Sequence, residues 1–264
     1  VTPYFKSFIR NPDITFKASK ITPYGELNIL DNSDENYICA VNHSKLFEYP
    51  DIKTSQELVH TALLQYQWAE KILVIGGNNI LISEILKYPS IQNIYWASLV
   101  PQSFDLISGF IPEEADDQND IRVRKIKNRE PRQFINRIKH ENIFDVILIA
   151  VPDPINLFFN RFYTLDFYKD LKTVMSGNSM VSITIQSGEN DLGRSRKILS
   201  ATSYRTVKYV FPNSLEMYGK RSHILASHNR NFTTSYLAIS EFLNALRELP
   251  EFISQPLLKY KLNS

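Results

Sequence analysis

A pair of adjacent glycines marks the first place in the chain where chemistry is expected. Gly76-Gly77 follow a buried-strand run from Ile72 to Ile75 and precede a segment with helical spacing. Glycines at such a turn let the backbone approach a ligand closely and leave the N–H groups of the helix N-terminus available to it. Asn78-Asn79 follow where a nucleotide-binding loop commonly has more glycine, and their side chains need space there. Two interpretations stay open, a nucleoside contact and a plain strand-to-helix turn.

Several other chemistries lack the residues they need. The five histidines have no ligand spacing with one another and Cys39 is the single cysteine, so the sequence predicts no metal site and no internal disulfide. No nucleophile elbow of a Ser/His/Asp hydrolase occurs. Lys and Arg number 30 against 28 Asp and Glu, a formal net charge of +2. This charge does not favour nucleic acid or an anionic membrane, so no nucleic-acid partner is predicted.

The sequence also bears on location. It has no run of about 18 apolar residues, the length that a membrane-spanning helix needs. No signal-peptide pattern follows Val1, and the single cysteine is compatible with a reducing compartment. We therefore expect a cytoplasmic protein or the soluble domain of a membrane-anchored one, with any membrane contact made through a fused segment missing from this sequence.

The elements that position the glycine turn alternate regularly. Apolar and polar residues alternate before it between turn signals at 23–25 and 42–43, which predicts a small antiparallel sheet. A helix with Ser55 as its N-cap is expected next. From Lys71 strands alternate with helices, which predicts an α/β fold with a mostly parallel, doubly wound sheet. The predicted strands after the glycine turn are 94–99, 121–126, 145–149, 180–185, 206–210 and 222–226, and the predicted helices are 103–110, 131–138, 164–173 and 194–204.

These elements divide the chain into four segments. We predict a linker or arm over 1–20, an N-terminal β-hairpin domain over 21–54, the main α/β domain over 55–230 and a helical tail over 231–264. The last two predicted strands would close one edge of the sheet in antiparallel fashion. The helical spacing from Ser235 to Leu249 suits a helix that caps the sheet or binds a second subunit.

Several motifs, in this order, resemble the spermidine/spermine synthase family of aminopropyltransferases. They are TPYGELNIL, SQELVHTALL, KILVIGG, EILKYP, FDVILIAVPDP, NRFYTLDFY and YRTVKYVFP, which together extend from about residue 21 to 228. The bacterial branch often fused behind transmembrane helices is the most similar. The resemblance implies a class I methyltransferase-like, Rossmann-like fold behind a small N-terminal β-domain. It also implies a decarboxylated S-adenosylmethionine donor and an amine acceptor.

The resemblance implies a degenerate donor site. Gly76 and Gly77 match the family's glycine loop, but Asn78 stands where the loop continues with glycine. In the family, an acidic residue hydrogen-bonds to the ribose hydroxyls of the donor. Ser98 stands at that position here and cannot make a charge-assisted hydrogen bond. Glu130, in the EPRQF motif, matches the acid that meets the adenine amine. The alternative is that Glu130 only forms a surface ion pair with Arg132.

The acceptor side is altered as well. The first aspartate of the family's catalytic motif, the general base, is replaced by Ala150, whereas the second is kept as Asp153. The resemblance makes Asp153, His60 and Tyr163 candidate substrate-binding residues, with Asp153 or His60 as a substitute base. Each has a structural alternative: a capping turn for Asp153, a core histidine for His60 and a loop-fixing role for Tyr163.

Three hypotheses follow. In the first, the chain has lost aminopropyl transfer and acts as a binding or structural subunit, because three departures fall on one site. In the second, it is an active transferase with a rewired site that makes polyamines or uses another nucleoside or amine. In the third, it is the inactive partner of an intact paralogue. A homodimer or a hetero-oligomer with that paralogue is expected, since members of the family commonly form dimers.

Overall fold

A small antiparallel sheet forms the N-terminal part of the computed structural model, which describes residues 14–32, 36–110, 119–141, 143–186, 194–217, 221–244, 246 and 249–253. Its strands β1 (Thr15–Thr22), β2 (Gly25–Asp31), β3 (Tyr37–Val41) and β4 (Ser44–Tyr49) pair in chain order. The β3–β4 hairpin turns at Asn42 and His43, which both have positive φ. The Asn42 amide also binds the backbone of Tyr24 and Glu26, and so ties the two hairpin turns together.

Strand β1 differs from the predicted arm over 1–20. Residues 15–20 pair with β2 over its length, while residues 1–13 lie outside the described residues. Seven of the eight β1 residues are exposed or half-buried, so the strand lacks the apolar alternation by which sequence identifies a strand.

A seven-stranded sheet forms the centre of the molecule. Its order is β10-β11-β9-β8-β5-β6-β7; the five strands from β9 to β7 are parallel, and β10 and β11 pair antiparallel at one edge. The bounds are Lys71–Gly76 (β5), Asn93–Ala97 (β6), Val123–Lys125 (β7), Phe144–Ala150 (β8), Met175–Gln186 (β9), Asn213–Met217 (β10) and Arg221–Ser227 (β11). The predicted mostly parallel α/β sheet is confirmed.

Helices cover both faces of this sheet, which explains why its central strands are continuously apolar. Alternate residues of β5 enter different cores: Leu73 and Ile75 join one, and Ile72 and Val74 join the other. The first core also receives Leu27 and Ile29 of the N-terminal sheet, so the two sheets share buried surface. The helices are α1 (Ile52–Leu63), α2 (Asn79–Leu86), α3 (Ser103–Ser108), α4 (Pro131–Arg137), α5 (Leu157–Asn160), α6 (Leu165–Lys172), α7 (Arg194–Val210) and α8 (Tyr236–Asn244).

Three boundaries differ from the sequence predictions. Asp51, not Ser55, caps α1, because its carboxylate accepts the Thr54 N–H and leaves Ser55 buried inside the helix. The strand predicted over 206–210 is the last part of α7, where Val207 and Val210 are buried on one helix face. The strand that pairs with β11 is β10 instead.

The tail contains a shorter helix than predicted. Helix α8 ends at Asn244, and its Ile239 and Leu243 pack against Leu64 at the end of α1. No helix among the described residues is both long and apolar enough to cross a membrane.

Candidate functional site

The site lies where the parallel strands β5 and β8 end side by side. Gly76 pairs with Ala150 in register, and the Gly77 N–H donates to the Ala150 carbonyl at 3.2 Å. Both glycines have positive φ, +79° and +74°. A Cβ on Gly76 would lie 2.5 Å from the Ala150 carbonyl oxygen. The strand-to-helix connection therefore requires glycine at Gly76 whether or not a ligand binds.

Asn78 closes the turn with its own side chain. Its Oδ1 accepts the Leu81 N–H at 3.2 Å and so caps α2, while its Nδ2 donates to the Glu48 carbonyl on β4. The residue is 4% exposed. Both ends of the amide are thus engaged with the protein, one with α2 and the other with the N-terminal sheet.

Ser98 holds the turn that follows β6. Its hydroxyl donates to the Val100 carbonyl at 2.9 Å, lies 2.8 Å from the Ser103 Oγ and accepts the Val100 N–H at 3.2 Å. Next to it, the indole N–H of Trp96 donates to the Gly76 carbonyl at 2.8 Å. The Ser98 hydroxyl is buried and engaged in the entry to α3.

Glu130 caps α4 and pairs with Arg161. Its Oε1 accepts the Gln133 N–H at 3.0 Å, and its Oε2 lies 3.3 Å from the Arg161 Nη2. The guanidinium carbon of Arg161 sits 4.7 Å and 4.8 Å from the ring centres of Phe158 and Phe162. Burial lowers the pKa of the Arg161 guanidinium, and the negative charge of Glu130 opposes that shift.

The predicted surface pair of Glu130 with Arg132 is not formed. Arg132 donates instead to the Arg161 carbonyl at 3.2 Å and lies 3.8 Å from Asp170, while Glu130 is only 4% exposed. Glu130 is therefore a buried carboxylate whose partner is Arg161. The NRFYT motif supplies that arginine, which lies beside the residue that the resemblance assigned to adenine.

His60 and Tyr163 are both buried away from open space. His60 is completely buried, with Nδ1 2.7 Å from the Tyr88 hydroxyl and Nε2 2.9 Å from Glu84. The Tyr163 hydroxyl donates to the Val151 carbonyl at 2.9 Å, and burial raises the pKa of that phenol well above its ordinary value. His60 thus lies in the core, Tyr163 binds the backbone that follows β8, and neither lines the cavity described next.

A cavity of about 510 Å³ opens beside the glycine turn. It lies between β4 of the N-terminal sheet, the first turns of α1 and the ends of β5 and β8. Of the residues singled out from sequence, Gly77, Asn78, Ala150 and Asp153 line it, whereas Gly76, Ser98 and Glu130 do not. Its other lining side chains that carry charge are Lys45, Glu48, Asp51, Lys53, Glu57 and Arg221.

Sequence reasoning missed the charged residues at the inner end of this cavity. Arg221, the first residue of β11, places its Nη2 3.6 Å from the Asp153 Oδ1. Glu57 of α1 lies 3.0 Å from the Nε2 of His223, which is completely buried. Glu57 lies in the SQELVHTALL motif and Arg221 and His223 lie in none, and no local signal pairs them, because the partners come from distant parts of the chain. His223 and Glu57 are separated by 166 positions.

The site is a cavity with charged walls. Ala150 presents a methyl group at its wall and can neither accept a proton nor pair with an ammonium. The carboxylates of the cavity are Glu48, Asp51, Glu57 beside His223 and Asp153 beside Arg221. The single thiol, Cys39, is fully buried in the N-terminal sheet, and burial raises its pKa, which disfavours the thiolate.

Comparison with known proteins connects this geometry to a family. The profile described as the spermine/spermidine synthase domain matches residues 52–218, more than half of the chain. A polyamine aminopropyltransferase of Leptospira interrogans is 26% identical over 166 residues, covering 62% of this chain and 33% of that protein. Polyamine aminopropyltransferase 2 of Ralstonia nicotianae is 27% identical over 237 residues, covering 85% of this chain and 45% of that protein. The chain thus spans less than half the length of these two relatives.

Solved structures show the same fold. A spermidine synthase in complex with the transition-state analogue AdoDATO superposes with a TM-score of 0.76 at 16% identity, covering 94% of this chain and 85% of that one. Spermidine synthase from Thermotoga maritima gives a TM-score of 0.72 at 16% identity, covering 94% and 84%. The methyltransferase-like fold with its small N-terminal β-sheet is therefore confirmed. On the family match over residues 52–218, the chain belongs to the spermine/spermidine synthase family.

Proposed function

We propose that this chain is a spermidine-synthase-like domain that has lost aminopropyl transfer and works by binding. The observation that carries the proposal is Ala150, a methyl group on the cavity wall at the position that the resemblance assigns to the general base. A positioned general base typically contributes about 10²- to 10⁴-fold in rate, and alanine contributes none of it.

The residues assigned to the donor support the same proposal. We call Asn78, Ser98 and Glu130 the donor half and the cavity the acceptor half; Asn78, which also lines the cavity, lies at the boundary of the two. In the donor half, each polar side chain already has partners in the protein. Asn78 binds Leu81 and Glu48, Ser98 binds Val100 and Ser103, and Glu130 binds Gln133 and pairs with Arg161. A nucleoside would have to displace the contacts of Asn78 and Ser98, so these two residues do not fit a decarboxylated S-adenosylmethionine donor. The Glu130 Oε2 pairs with Arg161 only electrostatically and can still accept a hydrogen bond.

A direct assay tests the proposal. The chain is incubated with decarboxylated S-adenosylmethionine and putrescine, and spermidine and methylthioadenosine are measured by mass spectrometry, with Thermotoga maritima spermidine synthase as the positive control. We expect neither product, and calorimetry should give no saturable heat with the donor, S-adenosylmethionine or methylthioadenosine. Turnover of the wild-type chain would overturn the proposal.

A rewired transferase is the second candidate, because Asp153 lines the acceptor half and carries a carboxylate. Arg221 competes for that carboxylate with any incoming ammonium. The double variant Ala150→Asp, Ser98→Glu separates the two candidates. Donor binding by this variant would mean that the donor half can still admit a ligand. If calorimetry again gives no saturable heat with the donor, the result supports the proposal that contacts within the chain occupy the donor half.

A further inference from the structure

The acceptor half contains a guanidinium where a diamine site needs only carboxylates. Arg221 and Asp153 both line the cavity, and their closest atoms are 3.6 Å apart. An ammonium that reached Asp153 would therefore lie within a few ångströms of a fixed positive charge, and like charges at such distances repel strongly in a partly desolvated site. A ligand that is positive at both ends suits this arrangement poorly.

Arg221 also retains hydrogen-bonding capacity. The 3.6 Å separation exceeds a hydrogen bond, so the pair with Asp153 is electrostatic rather than hydrogen-bonded. The Nε of Arg221 is buried and has no hydrogen-bond partner among the described residues. A buried donor of this kind is costly unless something accepts from it, and a guanidinium matches a carboxylate through two parallel hydrogen bonds.

Several other charged groups of the cavity have contacts with the protein. Lys45 pairs with Glu48 on β4, Asp51 caps α1 by accepting the Thr54 N–H, and Glu57 contacts His223. Lys53 is exposed on the first turn of α1. Arg221 and Asp153 place two opposite charges side by side on the cavity wall, with 3.6 Å between their closest atoms.

We propose that the acceptor half binds an amine that also carries a carboxylate, an amino-acid-like zwitterion, with Arg221 holding the carboxylate and Asp153 the ammonium. This inference rests on the proposed function, since it names the ligand class of the same cavity. The volume of about 510 Å³ is ample for such a molecule, because small-molecule sites commonly measure about 300–1,000 Å³.

Two ligands that differ by one carboxylate test the proposal on the wild-type chain. L-Ornithine is putrescine with a carboxylate on one amine-bearing carbon, so calorimetric titration of both isolates the contribution of that group. We expect L-ornithine to bind at least about tenfold more tightly than putrescine, the size of effect that one charge-assisted hydrogen bond supplies. Equal or tighter binding of putrescine, or no saturable heat with L-ornithine, would overturn the proposal.

A matched pair of variants assigns the preference to one residue. Arg221→Gln should abolish the preference for L-ornithine, whereas Arg205→Gln, at an exposed arginine on α7 outside the cavity, should retain it. Retention of the preference by Arg221→Gln would contradict the assignment. Failure of this ligand proposal is distinguishable from failure of the proposed function. The titrations decide the first, and spermidine formation in the product assay decides the second.

Discussion

The donor half and the acceptor half share one edge of the same sheet but differ in how their polar groups are used. In the donor half, Ser98 binds its own turn and Glu130 is neutralised by an arginine packed between two aromatic rings. In the acceptor half about 510 Å³ of space remains, and Arg221 approaches Asp153 no closer than 3.6 Å. On the proposed function, this difference means that contacts within the chain occupy the donor half while the fold that carries it persists.

If this comparison is right, donor-half residues now contribute to folding stability and acceptor-half residues contribute little. The free energy of unfolding, measured by urea titration, distinguishes the two. Trp96 is a convenient fluorescent probe, since it is buried and its indole N–H binds the glycine turn. Trp68, the other tryptophan, is 82% exposed, so it reports on a different environment.

The largest effect is expected at the turn that both halves share. Gly76→Ala places a Cβ 2.5 Å from the Ala150 carbonyl oxygen at a φ of +79°. The left-handed conformation alone costs an alanine about 1–2 kcal/mol, and with the clash we expect a loss of about 3 kcal/mol in the free energy of unfolding. A Cβ on Gly109 meets nothing within 4 Å and its φ is −71°, so Gly109→Ala is the matched control, with a change within about 0.5 kcal/mol. Equal stability of the two variants would show that the turn does not need glycine.

Gly76 also shows what sequence could and could not predict. The run Ile72 to Ile75 and the two glycines predicted the strand and the turn, because those signals lie in consecutive residues. The partners of Glu130 and Arg221 were not predictable, because each ion pair joins residues brought together only by the sheet topology. Asn78 and Ser98 are intermediate cases. Their residue types signalled the departure from the family, but nothing in the sequence indicated that their side chains bind the neighbouring turns.

The next effect is expected at the arginine that neutralises Glu130. Arg161→Met keeps an apolar side chain between Phe158 and Phe162 but removes the cation–π contacts and the ion pair. Because the buried Glu130 would lose its charged partner, we expect the free energy of unfolding to fall by about 2 kcal/mol. Arg137→Met, at an exposed arginine at the end of α4, should change it by less than about 0.5 kcal/mol. Similar values for both variants would place Arg161 outside the stabilising contacts of the donor half.

A smaller loss is expected at the turn after β6. Ser98→Ala removes the hydroxyl that joins Val100 and Ser103 and leaves the buried Val100 N–H and carbonyl without that partner. The expected cost is about 1 kcal/mol, as for a typical intramolecular hydrogen bond or cap. Ser108→Ala is the control, since this residue is exposed and, among the contacts described, its hydroxyl donates only to the Asp105 carbonyl. A stabilising effect of Ser98→Ala would mean that the hydroxyl is kept for a ligand at the expense of folding.

The smallest effect is expected in the acceptor half. Arg221→Gln removes a half-buried charge whose pair with Asp153 is long, and ion pairs of this kind contribute about 0–1 kcal/mol because desolvation and side-chain ordering offset the attraction. We therefore expect the free energy of unfolding to change by no more than about 0.5 kcal/mol, although the same substitution is expected to abolish the L-ornithine preference. A loss as large as that of Arg161→Met would show that Arg221 is structural and would erase the difference between the two halves. A stable variant with altered ligand preference would instead place stability in the donor half and binding in the acceptor half, a division that residue types alone do not indicate.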